Sequence, residues 1–162
     1  KVMGSSSRDA ELLYGDYVYM YSDDVSRLVK PKPLDQLWKY MSICHQALFV
    51  RSEILKTNLF DVHNLAADHE LIYRCFIDGK KFHYSGIVIA NYLGGGISQK
   101  KNVLSVIHRW RSVRKLTPSL SIDAFYFFFT LKQAARWIVR MMLPDSIILS
   151  IIRVKNSIAR SG

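Results

Sequence analysis

Up to Leu93 the apolar residues come mostly in short runs; from Asn102 onward they recur at helical spacing. "LLYGDYVYMY" is aromatic and β-branched with partial alternation, which predicts a strand from about Leu12 to Tyr21. "SDDVSRLVKPKP" follows with two prolines and reads as a turn and a loop. "LDQLWKYMS" has room for one or two helical turns, "QALFV" reads as a short buried strand, and "RSEILKTN" as a helix ending near Asn58. Leu71, Ile72, Cys75 and Phe76 then fall at helical spacing, with Gly79 at the stop. Asp68 stands where an N-cap belongs, its carboxylate placed to accept the amide of Glu70 or Leu71. "KFHYSGIVIANYLGGGIS" predicts a strand, a break at Ser85-Gly86, a second strand and a glycine run. Helices are expected over roughly 102–115, 121–142 and 145–158, with Pro118 and Pro144 as punctuation.

The helix over 121–142 is strongly apolar but interrupted by Lys132, Arg136 and Arg140. Spaced by four, these cations line one face, while Phe128, Leu131, Ala135 and Val139 fall on another. Its uncharged runs fall short of the ~20 residues that a spanning helix needs. An apolar face beside a cationic stripe suits a helix lying in a membrane interface, or one whose apolar face covers the core or a second subunit. The charge distribution sharpens this picture. Residues 1–99 hold 11 Lys/Arg and 11 Asp/Glu, whereas residues 100–162 hold 12 Lys/Arg against Asp123 and Asp145 alone. A neutral body with a basic end points to an anionic surface as partner.

Composition adds little beyond class. The 162 residues, 49% hydrophobic and 22% charged, suffice for one domain with a real core. Two cysteines, Cys44 and Cys75, make no disulfide framework and read as buried thiols in a reducing compartment. Zinc spacings, a P-loop ending, GxGxxG and a GxSxG elbow are all missing, which argues against those chemistries. "HRWRSVRK" is basic with an interleaved Trp, but it sits within an apolar helix set rather than a nucleic-acid-reading module. Asp23-Asp24 reads as an acidic turn. Asp68, at the start of a helix, is held rigidly enough to serve as a base as well as a cap.

Taken in order, "YGDYVY", "ICHQALFVRSEIL" and "LFDVHNLAADHELIYRCFIDGKKFHYSGIVIANYLGGGIS" resemble the second half of a bacterial family 2 glycosyltransferase, over about residues 12–98. The resemblance implies an α/β fold: the C-terminal part of a GT-A (Rossmann-like) domain over 1–100, followed by amphipathic basic helices over 101–162. It implies an inverting enzyme of cell-surface polysaccharide synthesis (capsule, O-antigen or exopolysaccharide). Such an enzyme moves a sugar from a nucleotide-sugar donor to a saccharide acceptor, here expected to be lipid-linked. The family's base, an acidic residue opening a helix, corresponds to Asp68, with Ala67 replacing the acid that often precedes it. His45 and Gln46 correspond to a His-Gln pair on the active-site floor, and Glu70 to the acceptor side. Gly95, Gly96 and Ser98 correspond to a loop near acceptor and diphosphate. Mn²⁺ or Mg²⁺ is implied on an Asp-x-Asp motif that nothing in this chain matches.

The expectation is therefore an acceptor-side part of a longer enzyme, inactive without its nucleotide-binding half. It would be cytoplasmic and peripheral on the inner face of the membrane, held to anionic lipid through 101–162, with no nucleic-acid partner. The competing reading is a non-catalytic basic helical module docking on membrane, nucleic acid or a partner subunit. "QAARW" at 133–137 copies the Gln-x-x-Arg-Trp of processive synthases such as those for cellulose, but it lies 65 residues beyond Asp68 and reads as coincidence.

Overall fold

The computed structural model describes residues 9–22, 24–93 and 101–142. Strand β1 (Leu12–Met20) is the centre of a four-stranded mixed sheet. Strand β4 (Phe82–Leu93) runs parallel along its whole length. The opposite edge is shared end to end: β3 (Leu48–Val50) pairs antiparallel with Leu12–Tyr14, and β2 (Ser26–Val29) with Tyr17–Met20. Helix α1 is Ser52–Thr57, α2 Ala67–Ile77, α3 Asn102–Leu116 and α4 Leu120–Met142. The chain is thus a mixed α/β fold. Helices expected beyond residue 142, and the glycine run, lie outside the described residues.

Four expectations need correction. The stretch taken as a loop contains β2, entered through a tight turn in which the amide of Tyr21 donates to Val25 O at 2.8 Å. Ser26, Arg27 and Leu28 are exposed, so this edge strand has no buried face to leave a pattern, and Pro31 and Pro33 bound it. β3 is half-exposed rather than buried, with Phe49 57% accessible at the sheet edge. Asp68 is not the N-cap of α2. The cap is Ala66, without a side-chain bond, and Asn64 closes the entry instead, its Oδ1 accepting the Ala66 amide at 2.9 Å. Asp68 is the second helical residue, which frees its carboxylate to face outward.

The break at Ser85-Gly86 is a bulge inside one continuous strand. Tyr14 pairs with Tyr84, but Asp16 pairs with Val88 and Tyr17 with Ala90, so β4 spends three extra residues over this stretch. Gly86 takes φ +70°, which a side chain would strain. The bulge also explains the Gly of "YGD". A Cβ on Gly15 would stand 2.5 Å from the Ile87 carbonyl oxygen and 2.6 Å from Ser85 Oγ.

The main core joins Tyr14, Leu37 and Ile43 to Ile72 and Tyr73 of α2, Val106 and Val113 of α3, and Ile122 and Tyr126 of α4. A second cluster holds Leu12, Ile54, Leu71 and Cys75. Burying each large side chain of this kind contributes roughly 1.5–3 kcal/mol. Helices α3 and α4 therefore share a core with the elements before them. The other face of α4 is different: Phe128, Leu131, Ala135 and Val139, grouped on one face by their spacing, are all exposed, so they do not cover the core. Among the described residues no helix is long and apolar enough to cross a membrane.

Gly15→Ala is expected to cost about 1–3 kcal/mol, because the added carbon meets the Ile87 carbonyl oxygen, which is backbone, besides the Ser85 and Ile89 side chains. Thermal unfolding should show a melting temperature several degrees lower; an unchanged one would mean that β4 moves aside freely.

Candidate active site

Ile43 and Ala47 are both fully buried, and the 3-10 turn His45–Ala47 between them throws His45 and Gln46 outward. Opposite stands the first turn of α2. Asp68 Oδ2 lies 2.9 Å from His45 Nδ1, while Asp68 Oδ1 accepts the His69 amide at 2.7 Å. A carboxylate at helix position two is also favoured by the partial positive charge of the helix start. Burial pushes the Asp68 carboxyl upward, but the His45 bond and charge, with the His69 amide, outweigh it and hold the group below its ordinary value. The same bond raises His45, against the opposing effect of its burial.

Behind this pair lies a second histidine. His69 is buried at 1% accessibility, and its Nε2 donates to the Leu37 carbonyl at 2.7 Å. A carbonyl only accepts, so Nδ1 carries the lone pair, and among the described residues it has no partner. Burial, aided by the charge of Arg109, drives His69 down to about 4, so it is neutral near pH 7. Burial also lowers Arg109, while Tyr126 and Asp68 work in the opposite direction.

In front lie tyrosines. Tyr17 and Tyr19 alternate onto one face of β1, Tyr21 just beyond its end lies 4.4 Å from Tyr19, and Tyr92 of β4 joins them, its ring 6.2 Å from Tyr17 and 5.3 Å from Tyr19. Tyr17 is pushed up to about 12, first by burial and then by nearby Cys44. Burial raises Tyr92 too, with smaller contributions from Tyr19, Cys44 and Asp68. The pair therefore sits near the carboxyl ends of the parallel strands β1 and β4, where open α/β sheets place their ligands.

Glu70 points elsewhere. Two residues along a helix turn by about 200°, and Glu70 accepts from Asn64 Nδ2 and Ser112 Oγ, each at 2.8 Å, and from Arg74 at 3.0 Å. Lys115 stands 3.5 Å away. These bonds pin α2 to α3 beside a polar cleft of about 380 Å³ lined by Asp61, His63, His108 and Arg111 among others. Gln46 is exposed beside His45. Gly95, Gly96 and Ser98 lie outside the described residues. Gln133 accepts from Asn102 at 3.2 Å, and Arg136 and Trp137 are exposed. Among the described residues no three His, Cys, Asp or Glu side chains gather around a possible cation position.

Sequence reasoning missed the tyrosine row and the pairing of His69 with Arg109. The period-two "YVYMY" could have disclosed Tyr17, Tyr19 and Tyr21; Tyr92 needs the strand register. Arg109 was hidden in a basic stretch whose neighbours are tied inward, Trp110 Nε1 to Asp123 at 2.7 Å and Ser112 to Glu70. Comparisons with protein-family models, curated proteins and solved structures yield no match.

The two histidines have opposite pH signatures. His45, raised, contributes stability that is complete below its unfolded value near 6.5 and is lost as pH rises through the folded value. His69, lowered, contributes stability that is complete above about 6.5 and is lost as pH falls toward about 4. Denaturant unfolding should therefore show stability dropping by a few kcal/mol between those values, and His69→Gln should flatten that limb. A wild-type stability constant across the window would refute the assignment.

Proposed function

We propose that the chain forms the acceptor-side part of an inverting glycosyltransferase of the family 2 type, with a GT-A fold. The observation that carries this reading is the His45–Asp68 pair. Twenty-three residues apart in sequence, these two groups meet at 2.9 Å near the carboxyl ends of β1 and β4, beside a wall of tyrosines. An ionised, rigidly placed acid–base centre is what acceptor activation requires. An acceptor hydroxyl gives up its proton to this centre and its oxygen attacks the anomeric carbon of a nucleotide sugar from the face opposite the leaving group. The nucleoside diphosphate departs and the configuration inverts. Tyr17, Tyr19, Tyr21 and Tyr92 offer flat apolar faces with hydroxyl rims, suited to the mixed surface of a saccharide.

The resemblance assigns Mn²⁺ or Mg²⁺ to a motif without a counterpart here. The described residues fit no such ion, and none of them is assigned to it. The acceptor in this proposal is lipid-linked, and α4 meets the membrane: Phe128, Leu131, Trp137, Ile138 and Val139 are exposed beside exposed Lys132 and Arg136. Apolar side chains enter the interface while the cations face anionic headgroups.

Asn keeps a side-chain oxygen that can accept the His69 amide, so Asp68→Asn should leave the fold intact. In the complete enzyme, sugar transfer from UDP- or GDP-sugar donors should fall by about 10²-fold or more in this variant. Glu70→Gln should instead lower the melting temperature, with turnover much less affected. Normal transfer by a folded Asp68→Asn enzyme would sink the assignment.

Vesicle sedimentation addresses α4. Binding to anionic liposomes should weaken with salt, since exposed charges are screened over ~8–10 Å, and weaken again in Lys132→Gln/Arg136→Gln. Equal binding to neutral vesicles, or tighter binding to duplex DNA, would count against a membrane role.

A further inference from the structure

We propose that His45 Nε2 is the atom that takes the acceptor's proton, with Asp68 serving as the positioning residue that orients the ring. This inference rests on the glycosyl-transfer reading and goes beyond it, because the resemblance assigns the proton to the carboxylate itself.

The argument begins with what each atom already does. Both oxygens of Asp68 are engaged, Oδ1 by the His69 amide at 2.7 Å and Oδ2 by His45 Nδ1 at 2.9 Å. A carboxylate only accepts, so Nδ1 is the donor and carries the proton. The neutral ring therefore presents its lone pair at Nε2, on the side away from Asp68. Among the described residues that nitrogen has no hydrogen-bond partner, and the His45 side chain is 47% accessible against 35% for Asp68. A sugar hydroxyl arriving from solvent reaches Nε2 first.

The surroundings favour a proton on this ring. The charged group on the ring is Asp68 from α2, and near that carboxylate and Cys44 stand Tyr92 from β4 and Tyr17 from β1. Burial raises the Cys44 thiol and both phenols, so all three are neutral near pH 7, and Asp68 is the one anion among them. His69 is neutral, and the charge of Arg109 acts on both His69 and Asp68. Fully buried Ile43 and Ala47 anchor the backbone of the turn, and the bond to Asp68 orients the ring.

The step balances without a further reagent. The acceptor O–H proton passes to Nε2 while its oxygen forms the bond to the anomeric carbon. The bond from that carbon to the diphosphate oxygen breaks, and its electron pair leaves with the nucleoside diphosphate. The imidazolium stays paired with Asp68 and returns its proton to solvent after product departs.

The test uses the complete enzyme, a nucleotide-sugar donor and a saccharide acceptor. If wild type transfers no sugar from any UDP- or GDP-sugar, the transferase reading fails. If it does, kcat/KM should fall on acidification along a limb whose midpoint matches the His45 titration seen by NMR of the five histidines. That midpoint should lie above the ordinary imidazole value and drop in Asp68→Asn. His45→Gln should lose about 10²-fold or more in turnover, with its melting temperature retained. Transfer that stays level through the His45 titration, or near-normal turnover by folded His45→Gln, would return the proton to Asp68 and overturn the proposal. Should His45→Gln fail to fold, the wild-type limb and its match to the NMR titration decide alone.

Discussion

Leu71 and Cys75 anchor α2 in one apolar cluster while Ile72 and Tyr73 anchor it in another, and with both sets engaged the helix cannot roll about its axis. That single rotational constraint distributes its charged residues. Asp68 is turned toward the sheet end and His45; Glu70, two positions on, is turned toward Ser112 and Asn64. Arg74 then falls one turn beyond Glu70 and closes the ion pair at 3.0 Å. A helix with one apolar stripe could tolerate a small roll; one wedged on two sides converts side-chain packing directly into the aim of its carboxylates.

The polar groups near the site divide by hydration rather than by type. His45 and His69 are the same type of residue, Asp68 bonding the ring of the first and the backbone amide of the second, yet they end on opposite sides of their ordinary value. The half-exposed one gains a carboxylate partner and keeps access to water. The buried one gives its proton to a backbone carbonyl and leaves a lone pair with nothing to accept among the described residues. Chemistry that needs a mobile proton belongs to the first and rigidity to the second.

Much of the fold was legible because its elements carry local signals. Strand β1, both short and long helices and the stop at Gly79 follow from period and punctuation. What failed to show depends on distant contact. β2 has no buried face; the parallel pairing of β1 with β4 and the continuity of β4 through Gly86 arise only once the strands meet. The cap of α2 was misplaced for a related reason: Asn64 and Asp68 are both good capping types, and choosing between them takes knowledge that Asn64 is held by Ser112, 48 residues away. At the site, Asp68 and His45 were legible as residue types in a familiar order. Their mutual contact, the tyrosine wall and the effect of Arg109 on His69 were not, because each joins segments that no local pattern relates.

The bulge in β4 has a meaning in terms of phase. Side chains along a strand alternate in a two-step rhythm, so an odd number of extra residues exchanges the faces. Before the bulge Tyr84 is level with Tyr14; after three extra residues Tyr92 is level with Tyr19. Even positions of β4 thus switch from matching even positions of β1 to matching odd ones, and Tyr92 arrives on the face that carries Tyr17 and Tyr19. The irregularity acts as a phase inverter. It lets the even positions of one strand serve the packed core at its beginning, through Phe82, and the tyrosine wall at its end, through Tyr92. A drift of one residue in that segment would turn the strand's far half inside out while leaving its near half untouched.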